Sequence, residues 1–187
     1  MNQSNAIAIF GGIGSGKSVV GAYLERKGYA VVYCDKIAME LSEDSDVISE
    51  VERKFGQEFI INGALNRQYI RENIFNDGSR LSAYNAIFHL RIQQRILNIL
   101  SKSNELLFVE VPLINALPSI EWKQVWEIIA DESTRIERVC LRDKVTKDNV
   151  KRIVSKQTDI VCKSIIIVND GSLSQLYDKV DKLLEQI

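Results

Sequence analysis

The sequence predicts an α/β fold, a parallel sheet wrapped by helices, and three observations carry that expectation. Short apolar runs of strand length recur along the chain; stretches with apolar residues at helical spacing lie between them; and the first run passes through a glycine-rich loop directly into a helix. No internal repeat, low-complexity tract or Pro/Gly-rich linker interrupts the alternation, and 187 residues are enough for one ordinary domain or one core with an insertion.

The elements follow in order. Ala6 to Phe10 is the first strand, ended by glycines, and Ser18 to Lys27 then sets Val19, Val20, Tyr23 and Leu24 at helical spacing before Gly28 closes the helix. Tyr29 to Tyr33 is a second strand by its aromatic and β-branched content; Leu106 to Val111 is a third, Val125 to Ala130 a fourth and Ile165 to Val168 a fifth. The segment from Lys36 to Ser103 is too long for one crossover. Its helical patterns around Val47 to Phe55, Arg67 to Ile74 and Leu81 to Leu100 predict a helical insertion. After the fourth strand come helices from about Thr134 to Arg142, Lys147 to Lys156 and Leu173 to Glu185, the last capped by Ser172.

Composition narrows the function classes. With 24 basic against 25 acidic residues, no overall field favours DNA, RNA or an anionic membrane, so any nucleotide must be held locally. The apolar runs are too short to span a bilayer, and the start MNQSNAIAIF lacks the basic stretch and cleavage region of a signal peptide; a cytoplasmic location is expected. The cysteines, Cys34, Cys140 and Cys162, are odd in number and form no CxxC pair, which argues against a disulfide framework and a zinc site.

Gly11, Gly16, Lys17 and Ser18 fit the spacing G-x-x-x-x-G-K-[ST], with a strand before and a helix after, as a phosphate-cradling loop requires. The extra glycines Gly12 and Gly14 are expected to let backbone amides turn around phosphate oxygens without Cβ clashes. Lys17 is then expected on the β- and γ-phosphates and the Ser18 hydroxyl on Mg²⁺, with the positive end of the following helix behind them. The D-x-x-G and N-K-x-D signatures of GTPases are missing, the chain is short for an ATPase motor, and no charged groove favours helicase work. A small-molecule kinase needs an acid at the acceptor hydroxyl, arginines on the transferring phosphoryl group and a cover against water. For the acid, Asp35 follows the second strand and lies near the cradle if that strand is close to the first; it either handles the acceptor proton or caps a helix beginning at Lys36. Arg138 and Arg142, four apart on one helix with Asp143 adjacent, clamp phosphate if aimed inward and are solvated charge if aimed outward. The single histidine, His89, fits a core or partly buried position as readily as a site.

Along nearly its whole length the chain resembles the dephospho-CoA kinases, which phosphorylate the ribose 3′-hydroxyl of dephospho-CoA with ATP. The likeness runs through GGIGSGKS (Gly11 to Ser18), VVYCDKIA (Val31 to Ala38), FGQEFIINGALNRQYIRENIF (Phe55 to Phe75) and NAIFHLRIQQRI (Asn85 to Ile96). It continues through VEVPLI (Val109 to Ile114), RVCLRD (Arg138 to Asp143), RIVSKQ (Arg152 to Gln157) and IVNDGSL (Ile167 to Leu173). The resemblance implies a P-loop NTPase three-layer parallel sheet with a helical substrate-binding insertion and a helical lid: a core of residues 1–35, 104–133 and 164–187, a substrate domain of 36–103 and a lid of 134–163. It implies that Asp35, Lys17 and Arg142 serve catalysis. ATP is expected on Gly12, Ile13, Gly14, Ser15, Gly16, Lys17, Ser18, Val19 and Arg142, and on Asn169 and Gly171 of an N-x-G loop beside the adenine. Substrate contacts are expected at Asp35, His89, Arg91, Pro112 and Leu113, and Mg²⁺ at Ser18, with Glu110 either holding it through water or ending its strand as a plain charge. A small-molecule acceptor, no nucleic acid, no membrane and a monomer complete the expectation.

The chain departs from the family pattern at several points. Tyr33 stands where the family often has a second aspartate, His89-Leu90 replaces H-P, and Pro112-Leu113-Ile114-Asn115-Ala116 replaces P-L-L-x-E, losing a carboxylate at Ala116. Between Gln157 and Asn169 the chain is several residues short. These changes leave two further readings: a kinase for another nucleotide-like acceptor, or a catalytically silent ATP-binding module.

Overall fold

In the computed structural model of the chain, residues 5–74, 77–112, 117–154 and 163–187 are described. Five strands make the main sheet: β1 (Ala6–Phe10), β2 (Ala30–Tyr33), β5 (Leu107–Glu110), β6 (Gln124–Ile129) and β7 (Ile165–Val168), in the order β2-β5-β1-β6-β7. The pairs β5–β1, β1–β6 and β6–β7 are parallel, with Ile9 opposite Glu110 on one side and opposite Trp126 on the other. Central β1 is buried along its full length, as a parallel strand covered on both faces must be. With β5 between β2 and β1, the second strand is one strand removed from the first.

The chain divides into two compact units, one of residues up to Val32 and from Ser103 on, the other Tyr33–Lys102. In the first, α1 (Lys17–Arg26) and α8 (Leu173–Leu184) cover one face of the sheet. Val20, Leu24, Leu176 and Val180 close over Ile7, Ile9, Phe108, Trp126, Ile128 and Ile167, all essentially removed from water. Burying such side chains contributes about 1.5–3 kcal/mol each. The two helices are also braced at their outer ends, where the Tyr23 hydroxyl donates to Asp181 (2.7 Å) and the Tyr23 and Tyr177 rings stack 4.0 Å apart. Ser172 caps α8 through a reciprocal box with Gln175, as expected. The helices α6 (Glu132–Asp143) and α7 (Lys147–Val154) have a small core of their own, Ile136, Val139, Val150 and Val154, against which Ile13 and Cys140 pack. The last residues of the helix expected from Lys147 to Lys156 lie outside the described residues, as does Cys162.

The second unit holds α2 (Cys34–Leu41), α3 (Ser45–Phe55), a 3₁₀ turn (Gln57–Phe59), strands β3 (Ile60–Ile61) and β4 (Ala64–Leu65), and helices α4 (Arg67–Ile74) and α5 (Gly78–Lys102). A run of aromatic contacts, Tyr69 to Phe59 to Phe55 to Tyr84 to Phe88, stitches α3, α4 and α5 together at centroid distances of 4.9 to 6.0 Å. Two expectations need correction here. The insertion is not purely helical: β3 and β4 pair antiparallel across Asn62-Gly63, both at positive φ, the turn that Asn-Gly favours. Asp35 is not an N-cap, because the helix begins at Cys34 with Tyr33 in the extended N-cap position, leaving Asp35 inside the first turn.

Candidate active site

The glycine-rich loop leaves the carboxyl end of β1, the central strand, where β5 and β6 flank it and the sheet order reverses direction; α/β sheets bind ligands at such a point. Gly16 is the N-cap of α1 in the left-handed region (φ 101°), and a Cβ there would fall on the Asn169 amide nitrogen, so no other residue fits. The loop closes on itself through Ser15 N–H to the Gly12 carbonyl (3.1 Å), and Val19 and Val20 donate to Gly16 O. The Lys17 ammonium bridges the Gly11 and Gly12 carbonyls at 2.9 and 3.3 Å. Ser15 is buried and its hydroxyl has no hydrogen-bond partner among the described residues, whereas Ser18 is exposed in the first turn of α1.

Two side chains from beyond the loop hold it, and a third holds one of the two. Asn169, at the end of β7 and 4 % exposed, donates its amide to Ser15 O at 2.7 Å. Arg135, on α6, donates Nε–H to Ile13 O at 2.9 Å. Arg138, one turn further on, donates to Asn169 O at 3.0 Å, and its Nη1 is buried with no hydrogen-bond partner among the described residues. Arg135 escaped the sequence reading, although 135, 138 and 142 form an i, i+3, i+7 stripe that was available as a signal.

The remaining candidates are dispersed. Arg142 does not share the environment of Arg138: its side chain is 60 % exposed and forms a two-point ion pair with Asp143 (2.7 and 2.8 Å), which holds the Asp143 carboxyl below its ordinary pKa and raises that of the guanidinium. Glu110 ends β5 half-buried, in register with Ile9 beside the start of the loop, and Pro112 is exposed two residues later. Leu113 and Ala116 lie outside the described residues. Gly171 is exposed next to the α8 cap. In the second unit Asp35 is exposed, and the Lys36 ammonium sits 4.3 Å from the Tyr33 ring centre. Arg91 is committed to Glu50 across α5 and α3 (2.7 Å) and to Ile87 O, while His89 is half-buried and held below its ordinary pKa by that burial. Among the described residues no group of three or more His, Cys, Asp or Glu forms a metal cluster, and no helix is long and apolar enough to cross a membrane.

Residues 5–175 match the family model for dephospho-CoA kinase. The chain belongs to the dephospho-CoA kinase family. A dephospho-CoA kinase of Hydrogenovibrio crunogenus is 31 % identical over 93 % of both chains. Among solved structures, the protein TT1252 of Thermus thermophilus superposes with a TM-score of 0.82 at 28 % identity over 97 % of both chains. The dephospho-CoA kinase of Campylobacter jejuni superposes with a TM-score of 0.63 at 25 % identity over 97 % of this chain and 96 % of its own. The loop geometry and the family membership agree on a nucleotide-using P-loop kinase fold.

Proposed function

We propose that the protein transfers the γ-phosphoryl group of ATP to the ribose 3′-hydroxyl of dephospho-CoA, giving coenzyme A and ADP. The observation that carries this reading is the braced loop at the exit of the central strand in a chain of this family. Backbone N–H groups from Gly12 to Val19 and the amino end of α1 bind the phosphates, and Lys17 turns from the Gly11 and Gly12 carbonyls onto the β- and γ-oxygens. Arg138 has a buried Nη1–H still to be used and offers it to the nucleotide beside Asn169; Gly171 lies on the same loop. Arg142 is exposed, so its guanidinium can exchange Asp143 for the transferring phosphoryl group, with residues 134–163 as the cover.

The glycine-rich loop runs into an α1 start with no side-chain cap, whose open backbone N–H groups suit a magnesium–nucleotide, and Mg²⁺ needs few protein ligands when phosphates supply the rest. Ser18 would ligate Mg²⁺ directly and Glu110 through water, and the ion would neutralise charge on the phosphates. Residues 36–103 receive the acceptor, with Asp35 taking or orienting its hydroxyl proton and His89 and Arg91 contacting it. The test is product analysis of purified protein with ATP, Mg²⁺ and a panel of dephospho-CoA, nucleosides and nucleotides. Coenzyme A and ADP in equal amounts are expected. Phosphorylation of another acceptor instead would move the protein to a different substrate, and tight ATP binding with no product at all would make it a binding module.

A further inference from the structure

The two glycines that precede the G-K-S turn have a neighbour that phosphate chemistry alone does not call for. A Cβ on Gly12 would fall on the Arg135 guanidinium, and one on Gly14 would come within 3.0 Å of the Arg135 Cα and of Val139 Cγ2. The side chain of the residue between them, Ile13, packs against the α6–α7 core of Ile136, Val139, Val150 and Val154. Gly12 and Gly14 are therefore small because α6 lies directly on the loop, and Ile13 anchors the loop to that helix pair. On this seam Arg135 makes a directional contact that bears on how a loop peptide faces: its Nε–H holds the Ile13 carbonyl at 2.9 Å. Across a trans peptide the C=O and the following N–H point in opposite directions. Fixing Ile13 O toward α6 thus turns the Gly14 N–H away from α6. Asn169 does the same two peptides on, where its hold on Ser15 O turns the Gly16 N–H away from β7.

We propose that Arg135 is a positioning residue for the nucleotide phosphates, acting through the Ile13–Gly14 peptide, whose N–H it presents to them. This rests on the reading that the loop binds nucleotide, and it separates two things an arginine beside a phosphate site can do. If Arg135 works through its Nε–H on Ile13 O, a neutral side chain with a donor at the same distance along the stem replaces it. If it works by its charge, no neutral side chain does. Glutamine and methionine divide the cases: glutamine places an amide N–H where arginine has Nε–H, and methionine offers a stem of similar length with no donor.

The experiment compares wild type, Arg135→Met and Arg135→Gln by calorimetric titration with ATP, by separate Michaelis constants for ATP and dephospho-CoA, and by thermal unfolding. Arg135→Met is expected to weaken ATP binding about tenfold, the scale of one lost hydrogen bond to a charged donor, while the constant for dephospho-CoA stays put. Arg135→Gln is expected to recover most of that affinity. A methionine variant that binds ATP like wild type, or that only unfolds more readily, overturns the proposal, and so does a glutamine variant as weak as the methionine one. Because ATP binding is read without turnover, a wild type that binds ATP and phosphorylates nothing would overturn the kinase assignment and leave this test standing.

Discussion

At the scale of single residues, Asn169 ties three parts of its unit together. Its backbone N–H pairs with Ile129 O, its backbone carbonyl accepts from Arg138 and its side-chain amide holds Ser15 O, so one buried residue joins β6, α6 and the loop. Asn169→Ala should leave the buried Ser15 carbonyl unpaired and cost about 1–3 kcal/mol of stability, seen as a lower urea midpoint, with a weaker ATP titration alongside. His89 yields a pH prediction. It is the only histidine in the chain, and burial lowers its pKa below the ordinary 6.5. In that window the unfolded chain binds the proton and the folded one does not, so stability is full above the unfolded value and is lost as pH falls through the folded one. Wild type should therefore lose more stability than His89→Gln between about pH 7.5 and pH 5, the carboxylates being common to both. Equal losses would show that the imidazole titrates alike folded and unfolded. For chemistry, Asp35→Asn should keep ATP affinity and lower turnover by a factor of about 10²–10⁴ if Asp35 handles the acceptor proton; with its capping role gone, little thermal destabilisation should accompany that loss.

At the scale of elements, the ends of α8 and the start of α1 are governed by opposite devices. Ser172 and Gln175 satisfy each other's backbone N–H groups at the start of α8, and Ser172→Ala should cost about 1 kcal/mol, read as a lower thermal midpoint with ATP affinity retained. The α1 start has no side-chain cap, because Gly16 holds the N-cap position with no side chain to offer, and the first amides of the helix stay open to an anion. This contrast explains what was readable beforehand. The five strands, α1 and the helices after β6 stood out because burial on one or both faces stamps a period on the sequence. The β3–β4 hairpin was passed over although Asn62-Gly63 is a strong turn signal, since two-residue strands leave no alternation to read. Asp35 was weighed as a cap because an aspartate before a helix usually is one; Tyr33 takes that position through its backbone alone. The loop was legible as a motif, whereas Arg135 was not, because its partner Ile13 is 122 residues away and only the fold brings them together. Arg138 and Arg142 looked equivalent in sequence, yet one turn of α6 divides a half-buried arginine from an exposed one.

At the scale of the molecule, a chain of near-zero net charge that handles a polyanionic nucleotide must concentrate its positive potential, and the loop, the amino end of α1 and the α6 arginines do so within one compact unit. The other unit has its own buried residues, among them Phe59, Ile74 and Ile96, and its own aromatic ladder. If each unit draws its stability from its own interior, ATP binding and the packing of Tyr33–Lys102 are thermodynamically separate. Ile96→Val, on α5, removes one buried methylene and should lower stability by about 0.5–1.5 kcal/mol, too little to unfold the chain. Saturating ATP stabilises whatever binds it, by roughly 2.7 kcal/mol at a hundred times its dissociation constant. That increment should be the same in Ile96→Val as in wild type, because the substitution leaves every loop contact in place. The measurement is thermal unfolding of both proteins over a series of ATP concentrations: parallel shifts support separate units, while a smaller ATP increment in Ile96→Val would mean that the nucleotide site depends on the packing of α5.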